Sequence, residues 1–331
     1  LFTLDTPRGV AMRDDGLEAL VAYGGFGDPV GVAVFSIEPG GAGGDMVDSI
    51  DLGAGQTPWA IAYASDDRAV VVTAGPDIGT IVPIDRGAGG FTVGDETEIP
   101  DNWPLDLSSR PGHEEVVMLR ANLAEDEASD VSRLAHGGSA WTTSGTVGAI
   151  GPPTVDLAVH GGGDLVYGST SDPDDSVATD NLDARGVLHV LGIGDGGVED
   201  GSTHVLPGLS SFVALDAHDR FLVLPTAIYQ VDGETNTPII RQYRLVTVPL
   251  DAGGAPGEPL DLAEPFDALL TYDLDVAPSG HLVHALEMYT GSVPAGEESP
   301  VVVWAQPTAG AWEECQRVHL GGAVELAIAP R

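Results

Sequence analysis

"WAIAYASDD", residues 59–67, sets an alternating apolar run against a polar Ser-Asp-Asp end. Such a run reads as a short, half-buried strand entering a turn. Six other stretches read the same way: "RGVAMRDDG" (8–16), "LDLSSRPGH" (105–113), "VDLAVHGGG" (155–163), "VALDAHDR" (213–220), "YDLDVAPSG" (272–280) and "VELAIAPR" (324–331). Their second residues stand at 9, 60, 106, 156, 214, 273 and 325, so the motif returns every 46 to 59 residues. A second apolar run follows each of the first six, as in "AVVVTAG", "DLVYGST" and "RFLVLPT". A third ("GVAVFSI", "GVLHVLGI", "PVVVWAQ") and a fourth ("DMVDSIDLG", "THVLPG", "CQRVHLGG") close the unit.

Four short strands per ~50 residues, joined by Gly- and Asp-rich turns, predict an all-β fold, a β-propeller, in one domain over 1–331. A lone four-stranded sheet has two faces and cannot bury both, whereas radial stacking buries each against a neighbour. The seventh opening segment, "AVELAIAP", and the N-terminal "LFTLDTP" suggest a last blade made from both chain ends. The expectation is therefore a seven-bladed propeller closed by the two chain ends, with six blades plus a spare strand as the alternative.

"TPWAIAYASDD", "PTVDLAVHGGG" and "VAPSGHLVHAL" resemble the YVTN/lactonase-like propeller repeat, in which a Pro precedes an apolar run ending in Asp or Gly-Gly. The resemblance covers nearly the whole chain. It implies architecture rather than activity, because such repeats occur in binders and in enzymes. It also implies that, in a calcium-dependent lactonase of this type, carboxylates would surround an axial metal.

Composition narrows the partners. The formal charge is −38, from 51 acidic and 13 basic residues, and every basic residue is Arg. Such a field repels nucleic acid and anionic membranes and favours cations, basic partners and salt. No apolar run approaches the ~20 residues of a membrane span. Cys315 is the single cysteine, so an internal disulfide is impossible. The chain begins at Leu1 without Met or a signal-peptide pattern, which reads as a processed product and suggests an extracellular, periplasmic or cell-surface protein.

Strand alternation puts the loops between second and third strands on one face, together with the blade-to-blade links. These loops are short in the first two units and long in the next four: "RANLAEDEASDVSR", "STSDPDDSVATDNLDARG", "TAIYQVDGETNTPIIRQ" and "MYTGSVPAGEESP". One carboxylate-rich side of one face is thus built up, and loops on a rigid scaffold commonly carry binding.

The fourth unit's loop spaces its oxygens at positions 1, 3, 5, 9 and 12 (Asp172, Asp174, Ser176, Asp180 and Asp183) in the manner of a calcium loop. Val177 stands where the sharp turn wants Gly, and a solvated acidic loop is the competing reading. Calcium is the cofactor this loop would take.

A second candidate is the inner-strand column, where Asp106, Asp156, Asp273 and Glu325 would converge on the axis. They would hold a cation there or accept backbone N–H groups of the neighbouring blade. Trp59, Trp103, Phe212 and Tyr272 fall near the blade-entry links, where they would stack on a ring or pack between blades. His113, His160, His218 and His281 recur at first turns on the plainer face. No G-x-S-x-G, P-loop or H-E-x-x-H is present, and no general base stands out.

The expected function is a non-catalytic secreted or surface propeller binding a protein or small-molecule ligand through the acidic face of blades 3–6. The alternative is a divalent-cation-dependent lactonase-type hydrolase with an axial metal.

Overall fold

The run RAVVVTA, Arg68–Ala74, is buried at every position after its first. A strand hidden on both faces needs a partner layer on each side, and the chain supplies both. Ala69 and Val71 pack with Leu20, Val32 and Val34. Val70 and Val72 face the other way, onto Met118, Leu134 and Trp141. The same alternation divides Val117 and Leu119 from Val116 and Met118, and Leu222 and Leu224 from Val223. Successive Cβ atoms of a strand point to opposite faces, so each middle strand feeds two cores at once. Burying such a Val or Leu stabilises the fold by about 1.5–3 kcal/mol.

The computed structural model of the chain describes residues 7–25, 29–39, 44–53, 57–75, 78–100, 102–122, 129–137, 140–147, 156–171, 185–231, 238–261, 270–277, 279–287, 300–305 and 312–319. Among them the strands form six sheets, each an antiparallel meander read off one continuous stretch of chain. Their inner strands are Pro7–Met12, Thr57–Ser65, Asn102–Ser109, Leu157–Val159, Ala214–Leu215 and Leu270–Val276. These head blades 1 to 6 in that order. Blade 2 gains a fifth strand, Thr97–Pro100, which pairs its third strand beyond Gly90–Val93. Burial falls outward: Gly44–Asp51 and Glu313–His319, the fourth strands of blades 1 and 6, are largely exposed.

Among the described residues, five apolar clusters lie between blades 1 and 2, 2 and 3, 3 and 4, 4 and 5, and 5 and 6. The expected seventh blade is not formed: the fold is a six-bladed propeller with open sheets. Among the described residues no sheet pairs a strand near one chain end with a strand near the other. The recurring opening segment counts inner strands, whereas a blade requires all four runs, and only six units carry them. "AVELAIAP" lies outside the described residues, as does "LFTLDTP" up to Thr6. Among the described residues, no helix is long and apolar enough to cross a membrane.

Close approach between sheets explains two glycine positions. A Cβ on Gly9 would sit 3.0 Å from the Ala60 Cα, so blade 1 meets blade 2 backbone to backbone. Gly145, with φ +53°, lies against Gly197, where a Cβ would fall 2.4 Å from its Cα.

Candidate functional site

The inner strands leave a central cavity of about 780 Å3. Its wall takes residues from all six blades, including Arg8, Trp59, Asp106, Asp156, Phe212 and Asp273. A local irregularity aims several of them. The inner-strand register shifts between Pro7 and Gly9, Pro58 and Ala60, Pro104 and Asp106, and Thr271 and Asp273. Each shift is a bulge, in which one extra residue bends the strand and redirects a side chain. The extra residues are Arg8, Trp59, Leu105 and Tyr272, and the first three line the cavity. The column residues Gly9, Ala60, Asp106 and Asp273 come immediately after.

Asp106 and Asp156 each bridge to the next blade. The Leu157 N–H donates to Asp106 Oδ2 at 3.0 Å, and the Val213 N–H donates to Asp156 Oδ2 at 3.1 Å. The two carboxyls are close enough to act on each other: Asp156 pulls Asp106 down and the charge of Asp106 pushes Asp156 up. Part of each opens onto the cavity, while protein closes round the rest. Burial pushes Asp106 up to about 6, against the pull of the Leu107 and Leu157 N–H groups and of Asp156. Burial pushes Asp156 well above the carboxylate range, reinforced by the negative charges of Asp106, Asp273 and Asp275. Two buried carboxyls in contact cannot both ionise cheaply. Both carboxyls are thus held toward their protonated forms, Asp156 more strongly than Asp106.

Asp273 and Asp275 sit two apart on one strand, so both face the same side, and each accepts the following residue's N–H, at 2.8 and 2.7 Å. Asp275 was missed in the sequence; its signal is the alternation in "YDLDV". His284 was also missed as a buried group. It bonds Thr271 Oγ1 at 3.0 Å beside the blade 6 bulge, and burial pushes it down to about 3.

At the mouth, the Trp59 and Trp103 rings meet edge to face with centroids 5.8 Å apart. The Arg8 guanidinium lies 5.3 Å from the Trp59 ring centre. Trp103 is 39% exposed, and Phe212 lines the wall. Of the four predicted aromatics, the side chain of Tyr272 lies outside the described residues, as do Glu325 and the loop residues Asp172, Asp174, Ser176, Asp180 and Asp183. The turn histidines are held locally: the Gly162 N–H donates to His160 Nδ1, and Ser279 bonds His281.

Among the described residues, no three of His, Cys, Asp and Glu are placed to hold a metal ion. Among the described residues the column brings Asp106, Asp156 and Asp273 to the cavity, where Asp106 and Asp156 each already accept a backbone N–H with one oxygen.

No family model matches the chain, and no curated protein does. Solved structures do. A Bacteroides uniformis protein proposed to be a 6-phosphogluconolactonase superposes with a TM-score of 0.66 at 11% identity, over 97% of this chain and 87% of that one. The periplasmic gluconolactonase PpgL of Pseudomonas aeruginosa gives 0.62 at 16% identity, over 95% and 86%. The fold is that of the lactonase-like β-propellers. Saccharomyces cerevisiae Sqt1 also superposes, at 0.53 and 9% identity over 95% and 85%. These likenesses, at 16% identity or less, establish the β-propeller scaffold and leave the chemistry to the cavity wall.

Proposed function

We propose that this lactonase-like propeller hydrolyses a small cyclic ester held in its central cavity. The Asp106–Asp156 pair carries the reading. In its singly ionised state, the Asp106 carboxylate takes a proton from a water molecule as that water attacks the ester carbonyl carbon. Asp156 gives its proton to the departing ring oxygen as the C–O bond breaks. The product is a hydroxy acid that loses its carboxyl proton to solvent, while the proton taken from water passes from Asp106 to Asp156 and restores the pair. A base that titrates close to the working pH suits this task. The names of the Bacteroides and Pseudomonas proteins support the substrate class, and the periplasmic setting of the latter supports a place outside the cytoplasm.

The test is a screen of sugar and aliphatic lactones with wild-type, Asp106→Asn and Asp156→Asn proteins, with and without chelator. Turnover lost in both variants supports the pair. Turnover that survives both removes it. Loss on chelation would restore a divalent cation to the mechanism. Calcium titration of wild type against an Asp172→Ala, Asp174→Ala variant tests the acidic loop as a calcium site, and an unaltered response removes it.

Partner capture by the acidic loops of blades 3–6 is the second reading, favoured by the exposed Trp103, which pairs with Ala121 near the end of the strand that leads into the blade 3 loop. Partner binding with no turnover on any lactone would select it.

A further inference from the structure

Arg8 is the sole basic side chain on the cavity wall among the described residues, a wall that also carries Asp14, Asp106, Asp156, Asp273 and Asp275. Its Nε is buried and has no hydrogen-bond partner among the described residues. A buried guanidinium donor left unpaired is costly, and Arg offers five donors in a planar fork suited to carboxylate or phosphate. Its carbon framework is held in place, because Arg8 is the extra residue of the blade 1 bulge and lies over Trp59, the extra residue of the blade 2 bulge. Equivalent positions in adjoining blades thus supply a cation and an aromatic plate side by side. Trp103, set edge to face against Trp59, is exposed to solvent beside it. Arg8 and Trp59 lie at the start of their strands, one residue before the column that holds the aspartate pair.

We infer that Arg8, backed by Trp59, is a specificity-determining residue that binds an anionic group of a ring-shaped or polyol ligand at the cavity mouth. The inference rests on the hydrolase reading only for the identity of the site, since binding needs no turnover. In a cavity otherwise lined by carboxyls, an anion gains only at Arg8, so the ligand's orientation is set by charge. The planar ring of Trp59 would stack on the ligand's apolar face.

Calorimetry with three soluble probes tests this: gluconate, 6-phosphogluconate and the neutral polyol glucitol, at low and at high salt. Wild type should prefer an anion over glucitol by about tenfold or more at low salt, and the preference should shrink as salt rises. Arg8→Met keeps the chain length and should erase the preference; Arg8→Lys, which keeps the charge but not the fork, should retain part of it. The better-bound anion tells carboxylate from phosphate. Equal binding of anion and polyol by wild type, or an unaltered preference in Arg8→Met, overturns the inference. Circular dichroism of each variant separates misfolding from lost recognition, and Arg8→Lys serves if Arg8→Met does not fold. Asp106→Asn separates the two readings. If no lactone is turned over yet the anion preference depends on Arg8, the hydrolase reading fails and this one stands. If Asp106→Asn loses turnover while Arg8→Met leaves anion preference intact, the reverse holds.

Discussion

Asp106→Asn should make the protein more stable at neutral pH while removing the proposed lactone turnover. The folded protein raises Asp106 from an ordinary 3.8 to about 6, with burial as the chief cause. A raised carboxyl favours its protonated form in the folded state, so the folded protein binds more protons than the unfolded chain between these two values. Stability therefore falls as pH rises from about 4 to about 6, and the full penalty holds above that. At about 1.4 kcal/mol per pH unit the gap corresponds to at most about 3 kcal/mol. Asparagine is neutral, has the same shape and keeps an oxygen for the Leu157 N–H. It weakens the interaction with Asp156, which leaves a net gain of about 1–3 kcal/mol. For a chain of this length that is roughly 2–4 °C in Tm. The assay is urea unfolding of both proteins from pH 4 to pH 8. The difference should be near zero at pH 4 and grow to a plateau above pH 6. Buried His284 works in the opposite sense, losing stability as pH falls below its unfolded value, but it is present in both proteins and cancels. A variant that is less stable at pH 7, or a difference that does not change with pH, would refute the account of a carboxyl penalised by burial.

Lactone turnover should rise with pH through an inflection near 6, as Asp106 ionises, and a flat profile from pH 5 to pH 7 would assign the base elsewhere. Gly145→Ala places a Cβ against the backbone of Gly197 and should cost more than about 3 kcal/mol by urea unfolding, because neither backbone has a flexible side chain that can give way. Raising NaCl from about 0.05 to 1 M should raise Tm by several degrees, since the screening length falls to about 3 Å and the −38 charge repels itself less. Ser109→Ala removes the 2.6 Å bond from Ser109 Oγ to the Tyr63 carbonyl between blades 2 and 3 and should cost about 1 kcal/mol in the same assay.

The sequence by itself determined the sheets. Period-2 alternation in "AVVVTAG" and its counterparts is a backbone property, and its return every 46 to 59 residues leaves radial stacking as the way to bury both faces. It also located Asp106, Asp156 and Asp273 in one column, and Trp59 and Trp103 near one mouth. The number of blades was misread, because an opening segment marks an inner strand whether or not three more runs accompany it. Tertiary structure decided everything that depends on distance across the ring. Asp106 and Asp156 are 50 residues apart in the chain, and only the packing of blade 3 on blade 4 brings their carboxyls together and raises them. No motif in the sequence marks Arg8; the paired bulges of blades 1 and 2 place it over Trp59 and on the cavity wall. Strand character is written in neighbouring residues, whereas the protonation and pairing of a side chain follow from burial among residues remote in the chain, on which local periodicity is silent.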